Sequence, residues 1–446
     1  MDLGSRIENL KLEDSDGNSV SVGRLAPGEY EAALPASKFH YEIRLEPPGQ
    51  ASDAAYVSWL AAERGLFVLG DLLPELVNDG NGRKAARIKF DLPGWEVVTN
   101  ENRNAAGEFE VGDVARAVFL AGPNLRQSRQ QIGSIDFRFV ATGNWAFSDG
   151  DALDLAAKVI GTYSDLFGGS PFERAMLIIT PFPVAVSAER WSAETRGSTT
   201  TLLLGRQPSK TAALAELSVP LAHELFHFWI PNGLALGGEY AWFYEGFTLY
   251  QAARTAVRLQ LLTFEDFLRA IGRAFDVYLA APDHDRLSLV EASQRRWTSG
   301  ESLVYQKSML TALLYDLTLR NLTRGKSSLD DAYRELFNKH RASLHGSQKS
   351  EVRGQRSEVA GDAGAVGDRA ALTALSRPNG MQDFTRRFIE SPATIDFDAL
   401  APFGLRVERL GAHIHVFVGE PLRSRQRDLL RALGYNYRQR QTPDRR

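Results

Sequence analysis

The segment His223-Glu224-Leu225-Phe226-His227 sets two imidazoles four residues apart with a carboxylate between them, and Glu245 follows inside Trp242-Phe243-Tyr244-Glu245-Gly246-Phe247. On a helix, residues four apart lie about 40° apart around the axis and roughly 6 Å apart along it, so both rings reach one ion. Glu224 then sits about 100° round from His223, which aims it at a bound water and away from the ligand position. A catalytic zinc takes three protein ligands and leaves its fourth position to water. His223, His227 and Glu245 supply the three ligands, and Glu224 supplies the base for hydrolysis by that water. The expectation is one Zn2+ per chain.

The competing reading is a buried helix whose histidines are satisfied core residues. The flanks Val219, Leu221, Ala222, Leu225, Phe228, Trp229 and Ile230 are apolar or aromatic. Unpaired imidazoles and a carboxylate are costly among such neighbours, which argues for a shared ion. Helix breakers follow at Pro231-Asn232-Gly233 and Gly237-Gly238, so the chain can turn back. A second helical pattern starts near Glu239 and presents Glu245 within its first two turns.

The elements that must position these residues belong to a chain of 446 residues, long enough for roughly two to four domains. A net charge of −3 with 24% charged residues carries no global bias toward nucleic acid. The absence of cysteine excludes disulfides, thiolate zinc sites and a cysteine nucleophile. No run of about 18 apolar residues occurs, so no membrane span is expected. Met1-Asp2-Leu3-Gly4-Ser5-Arg6 lacks the basic and apolar regions of a secretion signal. That makes the cytoplasm the default expectation, with export or a periplasmic location the alternative if the true start lies upstream.

The pattern predicts a multidomain α+β protein. Residues 1–145 read as a β-sandwich-like domain of short alternating runs, among them Phe39–Leu45, Ala86–Phe90 and Ile135–Val140. Residues 146–262 read as an α/β lobe carrying the two motifs. It opens with a helix from about Asp151 to Gly168-Gly169, followed by strands at Ala175–Thr180 and Thr199–Leu204. Residues 263–405 read as a helical lobe, and the helices of the two lobes are expected at about 211–230, 240–258, 264–280, 301–321 and 328–340. Residues 341–368 contain almost no large apolar side chain and predict a flexible insertion, because they bury too little surface to offset their ordering entropy. Residues 406–446 read as a short C-terminal segment with a strand at Ala412–Val418. Its end (Arg423, Arg425, Arg427, Arg438, Arg440, Arg445, Arg446) reads as a solvated, partly frayed tail rather than a site for an anionic partner. His413 and His415 alternate on that strand and read as surface or packing residues, not ligands.

The segments LAHELFHFW and WFYEGFTLYQ resemble the gluzincin metallopeptidases, which have a thermolysin-like catalytic domain, and within them the glycyl aminopeptidase family. The likeness runs over roughly residues 85 to 405. It includes LPGWEVVTN, similar to the end of that family's N-terminal β domain, and Val304-Tyr305-Gln306-Lys307-Ser308-Met309, similar to the helical segment bearing its catalytic tyrosine. FTRRFIESPATIDFDALAPFGL resembles the segment closing the catalytic region. The resemblance implies a thermolysin-like lobe, zinc on His223, His227 and Glu245, Glu224 as base, Tyr305 as transition-state stabiliser, and a peptide substrate. From the residues alone, Tyr305 reads as a packed aromatic on an amphipathic helix with Leu303, Met309, Leu310, Leu313 and Leu314, and only the resemblance turns the reading toward catalysis.

The chain departs from the family in three ways. Residues 228–244 make a shorter connection between His227 and Glu245 than is usual. The family's Gly-Gly-Leu-Glu-His substrate strand is replaced by Ser192-Ala193-Glu194-Thr195-Arg196-Gly197-Ser198, in which Glu194 is the candidate carboxylate for a substrate amino group. Gly197, Ser198 and Thr199 are candidates for contact with an extended substrate, if the strand Ser198–Leu204 is the cleft's edge strand rather than a plain internal one. A C-terminal PDZ module, common in that family, is expected to be absent or cut short. The expected activity is zinc-dependent peptide hydrolysis, as an aminopeptidase, with an endopeptidase or an inactive peptide-binding protein as the alternatives.

Overall fold

Period-two alternation of apolar residues dominates the first part of the chain, and period-3.6 alternation dominates from about residue 207. A computed structural model describes residues 3–75, 84–342 and 363–436. The chain divides into two units: residues 1–129, 138–144 and 175–206, and residues 130–137, 145–174 and 207–446. The division therefore does not fall at a single point near residue 145. The strands after residue 174 count with the first unit, whereas the helix before them counts with the second.

In the first unit, β1 (Ile7–Glu13) pairs antiparallel with β2 (Lys38–Ile43). A four-stranded sheet follows, built from β3 (Trp59–Ala61), β4 (Arg64–Val68), β5 (Glu96–Thr99) and β6 (Val118–Gly122) in the order β3-β4-β6-β5. Strand β6 is buried along its whole length. Because side chains alternate across a strand, Val118 and Leu120 enter a core with Trp59, Leu66, Met176 and Ile178. Phe119 and Ala121 enter a second core with Phe67, Phe109 and Val111.

Strands β7 (Arg174–Pro181), β8 (Trp191–Arg196) and β9 (Thr199–Leu204) belong to a five-stranded sheet in which β9 lies between the other two. It pairs parallel with β7 and antiparallel with β8, and all six of its residues are buried. The edge strand is thus β8, not the Ser198–Leu204 strand. With both of its ladders already paired, β9 has no backbone edge to offer an extended peptide.

The second unit is mainly helical: α1 (Asp149–Phe167), α2 (Lys210–Phe226), α3 (Thr248–Arg258), α4 (Phe264–Ala280), α5 (Ser308–Thr323) and α6 (Leu329–His340). Their starts are set by local chemistry. Ser148 with Asp151 and Thr263 with Asp266 form reciprocal capping pairs, and the Ser209 side chain accepts from the Ala212 amide. Helix α1 stops at Gly168, whose positive φ of 76° suits glycine. Two expected helices begin with a wider turn: residues Trp242–Phe247 and Leu303–Lys307 are π-helical and lead into α3 and α5.

Buried Asp316 on α5 ties these helices together. Its carboxylate accepts from Tyr250 Oη (2.6 Å) and Arg254 Nη1 (3.1 Å) of α3, from Arg320 Nε (3.0 Å), and from the Leu329 amide that opens α6 (2.9 Å). Removing one member of such a buried cluster typically costs about 3–5 kcal/mol, because a charge is left uncompensated.

Two expectations near the C-terminus are corrected. Part of the 341–368 segment is ordered: helix α7 runs Ala363–Ser376, and buried Asp368 accepts from Trp242 Nε1 at 2.6 Å. Residues 343–362 lie outside the described residues. The low bulk that suggested flexibility instead allows close approach, since a Cβ on Gly367 would lie 2.2 Å from the Tyr240 ring. The Arg-rich end is also structured as far as residue 436, while Arg438, Arg440, Arg445 and Arg446 lie outside the described residues. After α8 (Gln382–Phe388) and the hairpin β10 (Leu405–Leu410) and β11 (His413–Val418), helix α9 spans Ser424–Ala432. Leu429, Leu430 and Leu433 bury its apolar stripe while the arginines stay on its exposed side. His413 and His415 are exposed, as expected. Among the described residues no helix is long and apolar enough to cross a membrane.

Candidate active site

Helix α2 carries His223 and Glu224, and the helix proper ends at Phe226, short of the expected residue 230. His227 keeps helical φ and ψ because the last turn tightens, its amide donating to Glu224 O at 3.1 Å. The turn is held from outside. Tyr163 Oη of α1 donates to Ala222 O (2.9 Å), and Trp229 Nε1 donates to Gly169 O (2.8 Å). His223, Glu224, His227 and Glu245 are all buried.

Three ligand atoms converge. His223 Nε2 lies 3.1 Å from Glu245 Oε2 and 3.1 Å from His227 Nε2, and His227 Nε2 lies 3.6 Å from Glu245 Oε2. A tetrahedral zinc with bonds of about 2.0–2.2 Å holds its donor atoms roughly 3.4 Å apart, so this donor set fits zinc in spacing and in chemistry. The His227 Nδ1 proton goes to Ile230 O at 2.9 Å, because a carbonyl only accepts. That fixes the tautomer whose Nε2 lone pair is free to ligate. His223 Nδ1 is buried without a hydrogen-bond partner among the described residues, and its ring is set by edge-on packing against the His227 ring at 4.6 Å. A Glu224 carboxylate oxygen lies within 4.8 Å of ligand atoms on both histidines.

Both π-helical turns serve this cluster, one bearing Glu245 and the other Tyr305. Such turns insert an extra residue into a helix and recur at functional sites. Gly246 permits their close approach: a Cβ there would lie 2.2 Å from Ser308 Cβ and 2.5 Å from Val304 O. A backbone carbonyl cannot easily give way, so Gly246→Ala should destabilise the protein by about 1–3 kcal/mol and loosen zinc. Thermal unfolding and zinc titration check this; parent-like values in both would show that the approach is not needed.

Between the two turns stands Arg296, which no spacing in the sequence singled out. It is buried, 51 residues from Glu245 along the chain. Its Nη2 donates to Glu245 Oε1 (2.6 Å) and to Tyr305 Oη (2.8 Å), and its Nη1 donates to Tyr244 Oη (3.1 Å). The Tyr244, Tyr305 and Trp297 rings surround the guanidinium with centroids 5.6, 5.7 and 4.6 Å from its central carbon.

This arrangement sets the local protonation. Burial opposes ionisation of Glu245, but the Arg296 charge and the two imidazoles outweigh it and hold the carboxyl well below its usual range. Burial, then the Glu245 charge, pushes Tyr305 well above its usual value, so it remains a hydroxyl at neutral pH. Burial likewise pushes Tyr244 upward.

The candidate substrate residues lie in the first unit. Glu194 is on edge strand β8, paired with Thr201 of β9 and 3.8 Å from Arg196 Nε. Gly197 forms the β8–β9 turn at a φ of 58°, which favours glycine. Ser198 Oγ accepts from Asn100 Nδ2 at 2.6 Å, and Thr199 is buried within the sheet.

Residues 236–312 match the model of the M61 glycyl aminopeptidase family. No curated protein sequence matches the chain. Among solved structures, the chain is similar to an aminopeptidase N family protein from Idiomarina loihiensis, with a TM-score of 0.72 and 19% identity over 92% of this chain and 72% of that one. It is also similar to an M1 zinc metallopeptidase from Deinococcus radiodurans, with a TM-score of 0.54 and 15% identity over 88% of each chain. A mutant of that enzyme bound to a Tyr-Ser-Ala substrate gives a TM-score of 0.52 at 14% identity, over 88% of this chain and 87% of that one. At these identities the structural likeness speaks for the fold, a multidomain mixture of helices and sheets. The family match adds to it over the segment bearing Glu245 and Tyr305, and the converging ligand atoms add the chemistry. Over residues 236–312 the chain is similar to the M61 glycyl aminopeptidases, and in fold to the M1 zinc metallopeptidases; with the converging side chains, this supports a zinc metallopeptidase, aminopeptidase-like in that segment.

Proposed function

We propose that the chain hydrolyses peptide bonds at the amino end of its substrate, with one zinc ion held by His223, His227 and Glu245. The reading rests above all on the convergence of these three buried ligand atoms, with Glu224 within 4.8 Å. When bound, zinc supplies an acidified water and a pull on the scissile carbonyl. Glu224 takes a proton from the attacking water and delivers it to the leaving amine, acting as base and then acid at one carboxylate. The Tyr305 hydroxyl donates to the developing oxyanion, a contribution typically on the order of 3 kcal/mol. The ring packs against Arg296 as well, so packing and catalysis are not alternatives for this residue.

Amino-end specificity has its support in the relatives, one named for aminopeptidase N and another solved with a tripeptide substrate. Glu194, on edge strand β8, is our candidate partner for the substrate's ammonium group. Gly197, Ser198 and Thr199 then shape the turn beneath that edge rather than offering backbone groups themselves.

The test is a matched pair of peptides, one with a free amino terminus and one acetylated. Losing a charged hydrogen bond is worth about 1.5–3 kcal/mol, so acetylation should lower kcat/KM by roughly 10- to 100-fold. Equal rates for the two peptides would make the chain an endopeptidase.

A further inference from the structure

We infer that Arg296 is a positioning residue for this reaction, one guanidinium that fixes Glu245 as a one-oxygen ligand and presents Tyr305 and Tyr244 together as hydroxyl donors. The inference rests on the proposed hydrolytic reading and deepens it. Both protons of Nη2 are committed, one to Glu245 Oε1 and one to Tyr305 Oη. Glu245 therefore keeps only Oε2 facing His223 and His227.

The second consequence follows from donor chemistry. A guanidinium has no acceptor, so in its bonds to Tyr305 and Tyr244 the phenolic oxygens must accept. Each hydroxyl then has its own proton left to donate, and neither has another hydrogen-bond partner among the described residues. A carboxylate in place of Arg296 would draw those protons to itself. Tyr244 immediately precedes Glu245, its ring lies edge-on to the His227 ring at 6.5 Å, and its hydroxyl accepts from the same guanidinium that holds Glu245. The surrounding rings hold the guanidinium plane, and the donor pair is preorganised before substrate arrives.

The test is a mutant cycle with two readouts. Zinc affinity is measured by chelator competition, and kcat and KM are measured separately at saturating zinc. Arg296→Met should weaken zinc by roughly 10- to 100-fold, as loss of a partner behind a ligand does, and should lower kcat on the order of 100-fold with KM changed less than threefold. Placed in a Tyr305→Phe/Tyr244→Phe background, the same substitution should lower kcat by less than about fivefold, because the donors it positions are gone. Arg296→Lys keeps the charge but not the fork, so it should hold zinc near the parent affinity while kcat stays low. It also serves if the methionine variant fails to fold.

Parent-like zinc affinity in Arg296→Met, or an equal loss of kcat with and without the two hydroxyls, would overturn the inference. The zinc arm needs no hydrolysis. A parent that cleaves no peptide would defeat the functional reading while leaving the hold on Glu245 testable by itself.

Discussion

The Glu224→Gln protein should bind zinc as the parent does, at about one ion per chain, and lose on the order of 10^4 in kcat. The two effects separate because Glu224 lies beside the ligand atoms but its role is to carry a proton. The amide has nearly the same shape and so leaves the helix turn, the His223 and His227 rings and the Tyr163 bond to Ala222 undisturbed. It cannot take a proton from water or return one to the leaving amine. General acid–base catalysis is typically worth 10²–10⁴-fold, and this residue serves both half-steps. Metal analysis beside steady-state kinetics reads both quantities. A variant with parent-like kcat would refute the assigned base, and a variant that lost its zinc would make Glu224 a ligand.

His227→Ala should behave in the opposite way, releasing the metal first and activity with it. The substitution removes one of three donors, so zinc should weaken by more than the roughly 10- to 100-fold that outer partners cost. Zinc binding also stabilises the fold. At about 1,000 times its dissociation constant a ligand adds about 4 kcal/mol to unfolding. Chelation should therefore lower the melting temperature of the parent and of Glu224→Gln, and leave that of His227→Ala unchanged. A His227→Ala protein that still responds to chelator and keeps its zinc would remove this residue from the ligand set. The substitution also leaves Ile230 O without its donor, so the melting temperature without zinc is the baseline for the comparison.

The cluster of His223, His227 and Glu245 was legible because it is local. The two histidines need only one helical turn to share an ion, and Glu245 needs only a return of the chain, which Pro231, Gly233 and the glycines at 237 and 238 signal. Helix positions in the second unit followed from period-3.6 patterning for the same reason. Burial and capping act within a few residues. The π-helical turns were not legible, since an extra residue in a helix leaves no mark on composition and is selected by what packs against it, here Gly246 against Val304 O and Ser308.

Bulk was a poor guide where helices approach closely. The small residues up to 368 read as a flexible tract, yet Gly367 is the glycine that lets a helix lie against Tyr240. Strand order was equally hidden, because the choice of edge between β8 and β9 depends on which neighbour takes the second ladder, and that neighbour, β7, lies earlier in the chain. The sequence by itself determined which side chains could do chemistry: two imidazoles and two carboxylates at spacings that let them meet. Only the tertiary structure decided how those groups are held. Arg296 and Tyr244 enter the site through contacts between segments about fifty residues apart, and no periodicity encodes a contact of that kind.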